Sequence, residues 1–288
     1  MGLAAISGMD LSRKNSIRGL YQKMSMESPR AYGRRPFKVA VVHGGPGAVG
    51  EMAPVACRLA SKRGILEPIQ TATSLQGQVE ELKSTLEHDG DPPITLIGFS
   101  WGAWLSLIVT ASYPTLTKKL ILIGSGPFEE SYVSQLQQAR LSRFTEEERT
   151  EYESILKSME DPAVTEKNKL LERLGVLASR TDEYDPIEKE PHESALLSRT
   201  GDLYQSVWKD AAELRRTGKL LEFAQRIQCP VVAIHGDYDP HPAEGVRRPL
   251  SAVLKDFRFV MLKQCGHKPW IERWARKEFF RILEEELD

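Results

Sequence analysis

The stretch Gly-Phe-Ser-Trp-Gly at 98–102 closes the apolar run ITLIGF (94–99) and opens the run GAWLSLIVTASYP. It sets Ser100 between two glycines where a buried strand would hand over to a helix. A nucleophile on so tight a turn needs small neighbours, because the backbone takes a strained path and packs closely. A serine hydroxyl attacks only when a base removes its proton. The histidines available are His43, His88, His192, His235, His241 and His267. His267, in KQCGHKPW after the last apolar run, is the best placed, since a residue at a sheet end can face Ser100. That imidazole needs an acid to fix its tautomer and stabilise its cation. HGDYDPHP, following VVAIHG (231–236), offers Asp237 and Asp239. Ser, Asp, His is the chain order this constellation takes on a doubly wound sheet.

Acyl transfer through Ser100 develops an oxyanion, which two backbone N–H groups must already face. One is expected from Trp101, the residue after the nucleophile. The other is expected from Gly45 in HGGPG (43–47), where glycines permit close approach and Pro46 stiffens the turn. His235, Asp237, Asp239 and His241 alternate in the acid-bearing stretch, but their pattern matches no metal-site spacing. No metal and no organic cofactor is expected.

These residues need a scaffold that brings strand ends together. FKVAVV (37–42), ILEPIQ (65–70), ITLIGF (94–99), KLILIG (119–124), VVAIHG (231–236) and FRFVML (257–262) read as strands, and most are near-continuous apolar runs, as expected for strands covered on both faces. Between them, Met52, Val55, Ala56 and Leu59 fall at helical spacing. So do Leu75, Val79, Leu82 and Leu86, after a capping box from Thr73 to Gln76. Near the C-terminus, Ile271, Trp274, Ala275, Phe279 and Leu283 form one stripe. Strands alternating with helices predict an α/β fold with a mostly parallel, doubly wound sheet. The rhythm stops over 128–228, which reads as charged helices with a loop at 181–194. The expected division is an N-terminal extension at 1–36, a core at 37–127 and 229–288, and a helical insertion at 128–228.

Composition narrows the partners. With 39 basic against 40 acidic residues in 288, no electrostatic case exists for nucleic acid or an anionic membrane. No apolar run is long enough to span a bilayer. The N-terminal stretch is basic but lacks the apolar segment of a signal peptide. Three widely spaced cysteines, Cys57, Cys229 and Cys265, form no disulfide framework and suit a reducing, cytoplasmic setting. The expected partner is a small-molecule substrate; the sequence leaves the oligomeric state open.

HGGPG, GFSWGAW, HGDYDPHP and CGHKPW, in that order, make the chain resemble an α/β-hydrolase over roughly residues 37 to 288. The resemblance implies a variable helical cap at the insertion. It favours Asp239 over Asp237, because the acid commonly lies three residues after the glycine ending its strand, here Gly236. HGGPG with G-x-S-W-G is most similar to the prolyl aminopeptidase (proline iminopeptidase) branch. The resemblance thus implies a serine hydrolase cleaving a small ester or amide, by Ser100, Asp239 and His267. The alternatives are a carboxylesterase or lactonase, or a non-catalytic small-molecule receptor on the same fold. Two departures stand out. The family usually has strands before the oxyanion loop, and none is legible in 1–36. The aminopeptidase branch reads a free amine with acidic cap residues, and Glu183, Asp202, Asp210 and Glu213 sit in no matching motif. Tyr204 and Trp208 are candidates to line a substrate pocket or to form the core of the cap helices.

Overall fold

The computed structural model describes residues 29–161, 163–187 and 201–288, apart from the side chains of 160 and 201–205. In chain order the elements are β1 (Arg30–Tyr32), β2 (Val39–Val42), α1 (Ala53–Leu59), β3 (Ile65–Glu67), α2 (Leu75–His88), β4 (Ile94–Phe99), α3 (Trp101–Ser112) and β5 (Thr117–Ile123). Then come α4 (Val133–Arg143), α5 (Glu146–Glu160), α6 (Lys167–Asp182), α7 (Gly201–Arg216) and α8 (Lys219–Gln225). The chain closes with β6 (Val231–Gly236), α9 (Glu244–Val253), β7 (Phe257–Leu262) and α10 (Arg276–Leu287).

The apolar runs become strands because their side chains alternate between two covered faces. Val39 and Val41 of β2 join Ile97, Ile121, Ile123, Val232 and Ile234 on one face, under α1 and α10. Ala40 and Val42 join Leu96, Leu120, Leu122, Val231 and Ala233 on the other, under α2, α3, α8 and α9. Among the described residues the sheet has seven strands in the order β1-β3-β2-β4-β5-β6-β7. All neighbours run parallel except β1, which pairs antiparallel with β3.

Strand β1 lies in the stretch where no strand was legible. It has three residues and no apolar run, and polar contacts hold it at the edge. Tyr32 Oη donates to Glu67 at 2.6 Å, and Arg30 Nη1 lies 3.7 Å from the same carboxylate. Burial drives the Tyr32 phenol and the Glu67 carboxyl up from their ordinary values. Three further expectations are corrected. Strand β3 stops at Glu67, before Pro68, which has no N–H for the ladder. The N-cap of α2 is Ser74, whose Oγ accepts the Gly77 N–H at 3.1 Å; Gln76 instead donates to Glu80. Helix α10 begins only at Arg276, and Trp274 is 58% exposed rather than part of a buried stripe.

Between β5 and β6 the chain departs from the sheet. Helices α4 to α6 share a small cluster of their own, with Phe144, Tyr152, Ile155 and Leu177. Helices α7 and α8 pack into the main core through Val207, Ala211, Leu220 and Ala224. No helix among the described residues is long and apolar enough to cross a membrane.

Candidate functional site

Parallel strands put their C-terminal ends on one rim, which is where open α/β sheets assemble sites. The turns after β2, β4, β6 and β7 all open there. After β4, Ser100 takes φ 52° and ψ −114°, a left-handed backbone that an ordinary residue adopts at about 1–3 kcal/mol. Its N–H donates to Ile123 O at 2.9 Å, pinning the turn to the end of β5. A Cβ on Gly102 would lie 2.5 Å from the carbonyls of Val42 and His43. Glycine there lets α3 start flush against the turn after β2. Trp101, first residue of α3, has no intrahelical acceptor for its N–H. Its indole is buried and donates to Gln78 at 2.9 Å.

The turn after β2 is shaped from within. Gly45 has φ +106°, a conformation that only glycine adopts freely. His43 is fully buried, and its Nδ1–H donates to Gly44 O at 2.8 Å. Burial lowers this imidazole from its ordinary value. His43 therefore braces the turn as a neutral ring.

The turns after β6 and β7 bring acid and imidazole together. Asp239 Oδ2 lies 2.7 Å from His267 Nδ1, and the Asp239 side chain is wholly buried. His267 also lies against the other two turns. Its ring centroid is 4.7 Å from that of Phe99, the residue before Ser100. A Cβ on Gly124, the residue after Ile123, would fall 3.0 Å from His267 Nδ1. Among the described residues no hydrogen bond joins the Ser100 hydroxyl to this ring; backbone adjacency carries their proximity. Burial alone would lower the His267 imidazole, but the charge and hydrogen bond of Asp239, with Asp182 and Glu51, raise it overall. Burial would raise Asp239, but the imidazoles of His267, His241 and His235 outweigh it and hold the carboxyl well below its ordinary range. Asp237 points elsewhere. It accepts the Cys265 N–H at 3.2 Å and lies 3.7 Å from Lys263 Nζ, stapling the two turns.

Other histidines fall away from Ser100 chemistry. His88 Nδ1 meets Ser84 O within α2. His235 Nε2 donates to His241 O at 2.8 Å. His192 lies outside the described residues. Donor atoms of Asp239, His241 and His267 come within 4.8 Å of one another. Both Nδ1 atoms there are engaged with the carboxylate, so the cluster is closed by its own hydrogen bonds.

Two acids at this rim escaped the sequence. Asp182, at the end of α6, is buried, and its backbone oxygen accepts the His267 N–H at 2.7 Å. Burial would raise its carboxyl, but a two-pronged pair with Arg140 (3.0 and 2.6 Å) lowers it. Glu272, fully buried, accepts three backbone N–H groups: Tyr184 and Gly266 at Oε1 (2.8 and 2.9 Å) and Asp185 at Oε2 (2.8 Å). Ile187 N–H to Ile271 O and Arg273 N–H to Asp185 O complete a strap between 182–187 and the His267 turn. Spacing gives little signal for either acid, since Arg140, Tyr184 and Asp185 lie 42 to 88 residues away and only the Gly266 amide is near, six residues before Glu272. Trp208 lies flat on Trp104 of α3, centroids 5.7 Å apart at 4°. The side chains of Tyr204 and Asp202 are outside the described set. Asp210 and Glu213 are exposed, and Glu213 pairs with Arg216.

Residues 71–273 match the family described as the alpha/beta hydrolase fold. The chain belongs to that family. Among solved structures, VinJ superposes with a TM-score of 0.69 at 15% identity, covering 90% of this chain and 93% of that one. A putative lipase from Acinetobacter baumannii AYE gives 0.65 at 17%, covering 98% of each. Proline iminopeptidase from Mycobacterium smegmatis gives 0.60 at 16%, covering 90% and 93%. At these identities the likeness is one of fold. No curated protein matches the chain by sequence.

Proposed function

We propose that this α/β-hydrolase is a serine hydrolase that cleaves a small ester or amide through an acyl-enzyme. The observation that carries the reading is the Asp239–His267 hydrogen bond, lodged beside a serine held in a strained turn. With Nδ1–H committed to Asp239, the other ring nitrogen of His267 takes the proton of Ser100 as Oγ attacks the carbonyl carbon. The oxyanion is held by the N–H groups of Trp101 and Gly45. His267 then protonates the leaving group, and water, activated by the same ring, releases the acid. The step needs no other reactant. The helices from α4 to α7 act as the cap over this rim. The setting is cytoplasmic, in keeping with three unpaired thiols.

Among the described residues, charge at the rim favours the ester over an amide following a free N-terminus. A free α-amine calls for an unpaired carboxylate. Asp182 pairs with Arg140, and Glu51, beside the Gly45 turn, pairs with Lys268 at 2.9 Å. Both acids are thereby matched by cations.

A fluorophosphonate probe tests the nucleophile: it is expected to label the protein at Ser100 and not to label the Ser100→Ala variant. Absence of labelling would favour a non-catalytic receptor. A panel of short acyl esters, a lactone and aminoacyl-arylamides, the prolyl derivative among them, tests the substrate. Hydrolysis of the arylamides in preference to the esters overturns the ester assignment.

A further inference from the structure

His241 lies two residues past Asp239 and plays no part in the mechanism above. Its backbone N–H donates to Asp239 Oδ1 at 2.9 Å, and its ring Nδ1 lies 2.8 Å from the same oxygen. The other oxygen, Oδ2, belongs to His267 Nδ1. The two imidazoles stack, centroids 4.5 Å apart and 24° between planes. One buried carboxylate therefore carries two nearly parallel rings, one on each oxygen. A carboxylate only accepts, so both rings carry their proton at Nδ1. His235, at the end of β6, fixes the turn by donating to His241 O, and its Nε2 lies 3.6 Å from Asp239 Oδ2.

We propose that His241 is a positioning residue: by occupying Oδ1 and stacking on His267, it sets the angle and moderates the basicity of the ring that serves Ser100. The inference rests on the serine-hydrolase reading for that last role. The physical cause is division of one negative charge between two donors. Each N–H accepted by Asp239 weakens its pull on the other ring's cation. The stack also removes the freedom of His267 to swing on its single hydrogen bond.

The charges around the pair agree on which ring takes a proton. Facing His267 are Asp239, Asp182 from α6 and Glu51 from the turn after β2, the last two paired with Arg140 and Lys268. Facing His241 are Asp239, the His267 ring and Arg140. Burial and the charges of His267 and Arg140 hold His241 below the ordinary imidazole value despite Asp239, whereas His267 is held above it. His241 thus stays a neutral donor while its neighbour titrates.

The test is a nitrogen-15 NMR titration of the imidazoles in the wild type, His241→Leu and His241→Asn, without substrate. In the wild type both His241 and His267 are expected to carry their proton at Nδ1. His241→Leu is expected to raise the midpoint of His267 by about half a unit to one unit. His241→Asn puts an amide N–H where Nδ1 was and is expected to restore the midpoint. In turnover, His241→Leu is expected to lower kcat by about tenfold with KM little changed, since the ring is misaimed rather than substrate lost. An unmoved or lowered midpoint in His241→Leu overturns the proposal. So does a bare Nδ1 on His241 in the wild type, a result that stands even if neither variant folds. Because the titration uses no substrate, it reads separately from fluorophosphonate labelling of Ser100.

Discussion

The sheet rim and the helices between β5 and β6 are held by different forces. At the rim, Asp239, His43, His241 and His267 are buried and specifically partnered: His43 meets the Gly44 carbonyl, and His241 and His267 meet the two oxygens of Asp239. The inner strands beneath are apolar on both faces. Helices α4 to α6 share a much smaller apolar cluster and carry many of their charges in exposed or half-exposed pairs, such as Arg173–Glu151 and Lys169–Glu166. The contrast separates two jobs. On the reading proposed above, the rim is the reacting constellation, which needs fixed geometry, and the helices are the covering layer, whose polar surface pairs tolerate change.

The contrast can be broken from the rim downward. Ser100→Ala is expected to lower ester turnover at least about ten-thousandfold while circular dichroism stays unchanged; retained turnover removes the nucleophile. Asp239→Asn is expected to cost about a thousandfold or more, because the amide can hold His267 in the wrong tautomer. In the wild type the rate should rise with pH as His267 loses its proton. Since that imidazole is held up, the midpoint of the acid limb of kcat/KM is expected above 6.5, the ordinary value; a midpoint below it contradicts the Asp239 pairing. Arg140→Met strands the buried Asp182 carboxylate and is expected to destabilise the fold by about 3 kcal/mol in urea titration. Asp237→Asn keeps a staple for Cys265 and is expected to leave turnover nearly unchanged; a loss approaching that of Asp239→Asn would mean the wrong acid has been chosen. Arg173→Ala, on the exposed helical surface, is expected to leave the urea midpoint where it was.

The same contrast governs what the sequence made legible. Strands β4 and β6 match their apolar runs residue for residue, because burial on both faces demands continuous apolarity; β7 also matches its run, though as an edge strand it leaves Arg258 and Met261 exposed. Strand β1 was invisible: its fixing contacts are Tyr32 and Arg30 to a glutamate 35 and 37 residues on. The stripe drawn from Ile271 failed at its start because Pro269 and the strap hold that segment as turns, and helical spacing also arises by chance over so few residues. At the site, Ser100, Gly45 and His267 stood out by motif. Spacing left Asp237 and Asp239 open, and resemblance chose between them. Asp182 and Glu272 had little signal, since an acid that pairs with a distant arginine, or one that caps distant backbone amides, looks like any surface acid in a chain with 40 of them.

Glu272 grips the stretch leaving α6 and the turn bearing His267 with one carboxylate. Lifting α6 away as a hinged door would tear these amides free and unseat the imidazole at the same moment. On the reading proposed above, admission past this strap is a question of gaps between the described side chains rather than of a swinging α6, and reshaping those gaps would change acyl-chain preference without loosening the strap.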